Sequence, residues 1–182
     1  TQTLSGTNTY TGTTSVDNGV LAISNAAGLG ATDGATTVAN AAALNISGGI
    51  NVAEAITISG SGVSNNGVIR STSGNNTLSG QITISAHAQI QTDANTLTLN
   101  VASSSSITAS NKNITFDGAG NITVSDPIAT ESGTLTKTGS GTLTLSAANT
   151  YTGATTISAG VAAISNNTSF GTTDAATTIA SG

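Results

Sequence analysis

The sequence has few of the residues that build an ordinary globular core. Only 6% of its 182 residues are charged and 2% are aromatic, with one proline and no cysteine, methionine or tryptophan. Without cysteine there is neither a disulfide framework nor a thiolate metal site. Three basic residues, Arg70, Lys112 and Lys137, are too few to neutralise several phosphates, so nucleic acid is excluded as an expected partner.

Long hydrophobic runs are also missing. No apolar stretch approaches the roughly 18 to 20 residues of a membrane-spanning helix, and the first residues do not form a signal peptide. We expect any signal peptide or anchor to lie outside these residues. What is abundant instead is Thr, Ser, Asn, Ala and Gly, a composition typical of short strands joined by tight bends.

One internal repeat is visible by direct alignment. Residues 4–40 align without gaps on residues 145–181, and more than half of the positions are identical. Both copies contain the block Asn-Thr-Tyr-Thr-Gly, which begins at Asn8 and at Asn149. We interpret the chain as one domain over residues 1–182, with related repeats at its two ends.

Between the repeats, short segments alternate aliphatic and polar residues, which predicts strands with one buried face. Bends containing Gly, Asn or Asp separate them about every dozen residues. The predicted strands are Leu44 to Ile46, Ile56 to Ile58, Val68 to Arg70, Ile82 to Ile84, Leu97 to Val101, Ile114 to Phe116 and Ile122 to Val124.

The scarcity of aromatic residues favours a solenoid over a sandwich or a barrel. A sandwich core of this size draws on several large aromatics, whereas a narrow coil is filled by stacked Ile, Leu, Val and Ala. The chain has two Tyr and two Phe. We therefore predict an all-β parallel β-helix (β-solenoid). With roughly 20 residues per coil it would have about nine coils and a length of about 40 Å.

A family resemblance is carried by residues 135–164. This stretch contains, in order, Lys137, the Gly139-Ser140-Gly141 bend, the Asn149-to-Gly153 block and Gly160. It resembles the passenger-associated transport repeat of bacterial autotransporter and related giant surface proteins. Ala154 departs from the usual second glycine of that motif, and Val161-Ala162 departs from the usual small residue followed by leucine.

The resemblance implies a right-handed parallel β-helix that is secreted across a bacterial outer membrane, serves in adhesion or as a spacer, and has no cofactor. No catalytic residue comes with the motif. The implied site residues are structural repeat positions: Asn8, Tyr10, Gly12, Gly19, Lys137, Gly139, Gly141, Asn149, Tyr151, Gly153 and Gly160.

The repeated block has a physical interpretation of its own. Gly12 and Gly153 follow Thr-Tyr-Thr where a strand must turn, which predicts corners at which glycine adopts positive φ. Tyr10 and Tyr151 are interpreted as covers of an apolar corner that keep their hydroxyls in water. Stacking on a glycan is the alternative.

Catalytic chemistry has little support. The carboxylates are interpreted as turn residues, and the best enzymatic cluster is Asp117 with Asp126 and Lys112. The single histidine, His87, is predicted at an outward, solvated strand position. The carboxylates are Asp17, Asp33, Glu54, Asp93, Asp117, Asp126, Glu131 and Asp174.

These observations predict a non-enzymatic stalk, adhesin or fibre segment of a large bacterial protein, secreted or at the cell surface. Expected partners are neighbouring solenoid modules, or a second copy end to end, together with glycans or the surface of another cell. No cofactor or metal is expected. The alternatives are a polysaccharide-active β-helix enzyme and a self-assembling filament subunit, because uncapped coil ends expose unpaired strands.

Overall fold

The computed structural model describes residues 1–102, 104–173 and 176–180, so Asp174 and the last position of the second repeat, Ser181, lie outside the described residues. The described chain is all-β. It contains twenty short strands and one 3-10 helix, Val63–Asn65, and no helix in it is long and apolar enough to cross a membrane. This confirms the predicted fold class.

The strands stack as three parallel ladders, which we call faces A, B and C, and the chain visits them in that order on each turn. Strand β10 is long enough to serve face C with its first half and face A with its second. Face A contains β1 (Gln2–Leu4), β3 (Gly19–Ile23), β5 (Ala42–Ser47), β8 (Ile69–Ser73), β10 (Ile82–Thr92), β13 (Ile114–Asp117), β16 (Leu135–Lys137), β18 (Thr155–Ile157) and β20 (Thr177–Ile179). Face B contains β6 (Asn51–Val52), β9 (Asn76–Leu78), β11 (Thr96–Leu99), β14 (Asn121–Val124), β17 (Thr142–Leu145) and β19 (Val161–Ile164). Face C contains β2 (Thr14–Val16), β4 (Thr36–Val38), β7 (Ile56–Gly60), β10, β12 (Ile107–Ala109) and β15 (Ile128–Ala129).

The turns of the solenoid differ in length. Along face A, Gln2 pairs with Leu21 in the first step, whereas Ile90 pairs with Phe116 in a later step that takes up more of the chain. The chain therefore makes about 8 turns rather than the predicted nine. The extra residues lie in corner loops of unequal length, including the one that holds the 3-10 helix between β7 and β8.

The core is a stack of aliphatic side chains inside the coil. In β11 and β14 the inward residues Leu97, Leu99, Ile122 and Val124 are buried, while the Thr between them remains half-buried on the outside. Because paired residues are in register, each inward side chain packs on its equivalent in the next turn. The predicted alternation along the strands is thus the pattern that forms the core.

The two repeats lie on different faces of the solenoid. In the first repeat, β1 pairs with β3 on face A and β2 pairs with β4 on face C. In the second repeat, the equivalent pairs are β17 with β19 on face B and β18 with β20 on face A. Since the chain runs from A to B to C, the second repeat is advanced by one face. Strand β16 lies six steps along face A from β1, and β17 follows it on face B, so the repeats are separated by six turns and about one third of another.

Candidate functional site: repeat corners, coil ends and a lateral groove

In the second repeat, Asn149 joins three successive turns. Its side chain is buried, and its Oδ1 accepts a hydrogen bond from the amide of Ile128 in the turn before (2.7 Å). Its Nδ2 donates to the carbonyl of Ser169 in the turn after (2.5 Å). In the first repeat, Asn8 makes the second bond alone, from its Nδ2 to the carbonyl of Gly28 (2.8 Å), because the residues before it supply no turn. This asparagine therefore acts as a stacking residue.

The two repeat tyrosines differ in burial. Tyr151 is 0% exposed and Tyr10 is 40% exposed, although each hydroxyl forms the same hydrogen bond, to Thr155 Oγ1 at 2.7 Å and to Thr14 Oγ1 at 2.9 Å. Burial raises the pKa of Tyr151 to about 12, and its hydrogen bond to Thr155 opposes that shift. Tyr151 thus covers an apolar corner as predicted, but its hydroxyl is not in water.

The repeat glycines have two different physical roles. Gly19 and Gly160 adopt positive φ (74° and 72°) at the bend before β3 and β19. The prediction of positive φ at Gly12 and Gly153 is wrong. A Cβ on Gly153 would lie 2.5 Å from the Ser132 carbonyl oxygen of the previous turn, so this position requires glycine because the backbones of two turns touch there.

Close stacking also explains the Gly139-Ser140-Gly141 bend. A Cβ on either glycine would collide with a backbone carbonyl of the turn below, that of Gly118 or of Gly120. Lys137 occupies the inward end of β16, is 3% exposed, and donates from Nζ to the Gly139 carbonyl (2.5 Å). Burial lowers the pKa of Lys137, and the charge of Asp117 partly opposes this shift. The lysine thus satisfies a corner carbonyl from inside the coil.

At the open ends, equivalent apolar residues change environment. Ile23 and Val38 of the first repeat are buried at 1% and 0% exposure, because β5 and β7 cover them. Their equivalents in the second repeat, Ile164 and Ile179, are 51% and 70% exposed on edge strands β19 and β20. The exposed residues therefore occupy core positions that no described strand covers.

The predicted cluster of Asp117, Asp126 and Lys112 does not form. Asp117 ends a face A strand, Asp126 lies between faces B and C, and Lys112 lies between faces C and A. Each carboxylate has a structural partner instead: Asp117 Oδ1 accepts from the Gly118 amide (2.7 Å), and Asp126 Oδ2 accepts from the Val101 amide (2.5 Å). Between the two aspartates the chain crosses face B and rounds a corner, so they cannot share a side.

Other candidate polar residues have local partners too. His87 is exposed, as predicted, and its Nδ1 accepts a hydrogen bond from the Asn113 amide (2.9 Å). Asp93 forms an ion pair with Arg70 (2.8 Å). Within residues 1–102, 104–173 and 176–180, no three His, Asp or Glu side chains come together as a possible set of metal ligands.

The sequence interpretation did not identify Glu54 and Asn76 as buried polar residues. Glu54 is 3% exposed, with Oε1 accepting from Thr36 Oγ1 (2.6 Å) and Oε2 without a partner, and burial raises its pKa. Asn76 is also buried, and its Oδ1 accepts from the amides of Gly49 and Ile50 (both 3.0 Å). A corner asparagine and its hydrogen-bond partner are separated in the sequence by one turn of the solenoid. The spacing between them therefore identifies a buried asparagine only once the turn length is known.

Face C carries a depression on the side of the solenoid. It holds about 600 Å³, and its two charged residues are Lys112 and Glu131. Hydroxyl groups from outward positions of successive turns form much of the rest: Thr83, Ser85, Thr108, Ser110 and Thr150. Such a surface offers hydrogen-bond donors and acceptors at the spacing of the rungs, without an aromatic platform.

The comparisons with known proteins agree with the corner geometry. The family model described as the passenger-associated-transport-repeat matches residues 1–23 and 135–161. These segments contain both Asn-Thr-Tyr-Thr-Gly blocks, and the second also contains Lys137 and the glycine bend. No curated protein and no solved structure matches the chain.

Proposed function

Because the chain carries passenger-associated transport repeats at both ends of a parallel β-solenoid, we propose that it is a structural segment of the passenger of a bacterial autotransporter. The repeat implies a secreted or surface-exposed protein. The observation that carries the proposal is the unbroken path of face A from Gln2 to Ile179, in which each turn packs only on its neighbours. Such a segment extends the passenger in steps of about 4.8 Å per turn.

The proposal is non-enzymatic. It is supported by the separation of Asp117 from Asp126, whose oxygens accept hydrogen bonds from neighbouring backbone and side-chain groups. Incubation with neutral and acidic polysaccharides, followed by measurement of new reducing ends, should show no turnover. Turnover that disappears when Asp117 and Asp126 are both replaced by Asn would instead favour the polysaccharide-active alternative.

Surface delivery tests the structural role. The chain is placed between a secretion signal and a translocating barrel, and protease accessibility is measured on intact cells. We expect surface exposure for the native chain and for Thr98→Asp, whose side chain faces outward, and retention for Leu97→Asp, which places a charge at a 0% exposed core position. Equal delivery of all three would contradict a requirement for the folded solenoid.

An adhesive role is proposed at the face C groove. Its outward hydroxyls, with Lys112 and Glu131, match the hydrogen-bonding groups of a glycan. Binding of the purified chain to immobilised glycans or to cells should fall when Thr108→Asp and Ser110→Asp are combined. The matched pair Thr123→Asp and Thr144→Asp, outward on face B, should leave it unchanged. Equal binding by both pairs would place adhesion elsewhere.

A further inference from the structure

The chain has two glutamates, and both lie at corners of the solenoid. Glu131 is exposed at the corner between faces C and A, after β15. Glu54 lies at the corner between faces B and C, between β6 and β7, and is 3% exposed. Thr36 Oγ1 donates to Glu54 Oε1 (2.6 Å), and Oε2 has no partner among the described residues. The interior of the solenoid thus holds a carboxyl group with a single hydrogen bond.

Backbone groups of two neighbouring turns close this corner. The Thr36 amide, in the turn before, donates to the Ala55 carbonyl (3.0 Å). The Ile56 amide donates to the Gln81 carbonyl in the turn after (3.0 Å). The turn after also lies so close that a Cβ on Gly80 would collide with the Glu54 carbonyl. The Glu54 carboxyl group is therefore kept out of water unless these turns separate.

Asp126 shows how the same kind of corner holds a charged carboxylate. It precedes β15, three steps along face C from β7, and is half-buried. Its Oδ2 accepts hydrogen bonds from the Val101 amide (2.5 Å) and from Ser106 Oγ (3.1 Å). Glu54 is more deeply buried and has one hydroxyl donor in place of these two. Because a buried charge with one neutral donor costs more free energy than a buried neutral acid, the closed corner favours protonated Glu54.

The surroundings of Glu54 contain no cation that would hold it ionised. The corner segments packed on it, residues 33–36 and 79–82, contain no Lys, Arg or His. Their ionisable side chain is Asp33, which is exposed, and the Tyr10 hydroxyl lies one turn further back. Burial raises the pKa of Glu54, and its hydrogen bond from the threonine opposes that shift. The geometry and the direction of the pKa shift therefore agree.

We propose that Glu54 is a pH-sensitive latch, whose protonated side chain closes the corner between β6 and β7 and whose ionisation loosens this corner from the turn before. The sign follows from proton linkage. Folding raises the pKa of Glu54 above its ordinary value of 4.5, so the proton's contribution to stability is complete below pH 4.5. It is lost as pH rises through the pKa of the folded state. The corner is therefore tightest in mild acid and loosens as the pH rises.

Hydrogen exchange of the Thr36 and Ile56 amides tests the latch, because both amides donate across the corner. Exchange is measured between about pH 4 and pH 7 and corrected for the intrinsic rate at each pH. We expect protection in the native chain to fall with rising pH relative to Glu54→Gln, which keeps the size of the side chain without its ionisation. Glu131→Gln, at the exposed corner, should follow the native chain. A native chain that keeps a constant ratio of protection to Glu54→Gln at every pH would overturn the proposal.

Carboxyl ¹³C NMR of the folded chain measures the titration of Glu54 directly. We expect a midpoint above 4.5 in the native chain. Thr36→Val removes the one hydrogen bond that favours the charged form, so it should shift the midpoint further upward. A native midpoint at or below 4.5 would overturn the proposal even if Thr36→Val fails to fold. A folded Thr36→Val chain with an unchanged or lower midpoint would overturn it as well.

Discussion

The first and second repeats are nearly the same unit with opposite neighbours missing. Residues 4–16 form an exposed bottom turn, whereas the equivalent residues 145–157 lie inside the stack. Residues 20–38 are covered by the next turn, whereas no described strand covers residues 161–173 and 176–179. Two pairs of equivalent residues therefore show the same side chain in two environments: Tyr10 with Tyr151, and Ile23 with Ile164. The difference shows that burial here depends on the adjoining turn and not on the repeat itself.

The largest expected difference is between the tyrosines. Tyr151→Ala should lower the free energy of unfolding by about 4 kcal/mol, because it removes a fully buried ring and leaves a cavity. Tyr10→Ala should cost at most about 1.5 kcal/mol, because its ring is 40% exposed. Urea unfolding of the two variants measures the difference, and equal costs would break the comparison.

The isoleucines should show the reverse asymmetry. Ile23→Ala, in the first repeat, should cost about 3 kcal/mol because the side chain is buried between turns. Ile164→Ala, in the second, should cost less than about 1 kcal/mol because half of that side chain is exposed. The same unfolding experiment measures both. A larger cost at Ile164 would contradict the assignment of β19 as an edge strand.

Ionisation of the Tyr151 hydroxyl at alkaline pH gives a further test of the difference between the two repeats. Its pKa rises from 10.0 to about 12 on folding, so the folded state holds the proton more tightly. Its contribution to the free energy of unfolding is complete below pH 10. That contribution is lost as pH rises toward 12, which lowers the free energy of unfolding by about 2.5 kcal/mol. Tyr151→Phe should remove that part of the pH dependence, and Tyr10→Phe should retain it. An unchanged profile in Tyr151→Phe would contradict the account.

The stacking asparagines give the smallest expected difference. Asn149→Ala removes two hydrogen bonds and leaves the Ile128 amide and the Ser169 carbonyl without those partners, at a cost of about 2 kcal/mol. Asn8→Ala removes one and should cost about 1 kcal/mol. Thermal unfolding of the two variants checks the order of the costs, which would be reversed or equal if Asn149 did not bridge three turns.

The sequence was sufficient to predict seven of the strands between the repeats and their inward residues. It missed β6, β9, β12 and β15, and the strand predicted over Leu97 to Val101 ends at Leu99. The alternation at Ile114 to Phe116 and at Ile122 to Val124 corresponds to β13 and β14 within one residue, because one face of each strand must be apolar to fill the coil. The scarcity of aromatics likewise indicated a narrow core, which Phe116 and Tyr151 complete as two of its largest buried side chains.

The turn length could not be predicted from local patterns. Along face A the turn length ranges from the short step between Gln2 and Leu21 to the long step between Ile90 and Phe116, because the corner loops differ in length. The alternation within one strand carries no information about the combined length of these loops. Three features depend on the turn length: the number of turns, the one-face advance of the second repeat and the separation of the two candidate aspartates. The inward position of Glu54 was missed for the same reason, because its partner Thr36 lies in the preceding turn.

Native-state hydrogen exchange, resolved by residue in the monomeric chain, tests most directly whether the repeats differ only in their neighbours. The account predicts slow exchange in Thr155–Ile157 and fast exchange in the equivalent Thr14–Val16. We predict slow exchange in residues 20–23 and fast exchange in the equivalent Val161–Ile164. Equal protection of the equivalent strands in both comparisons would contradict the account.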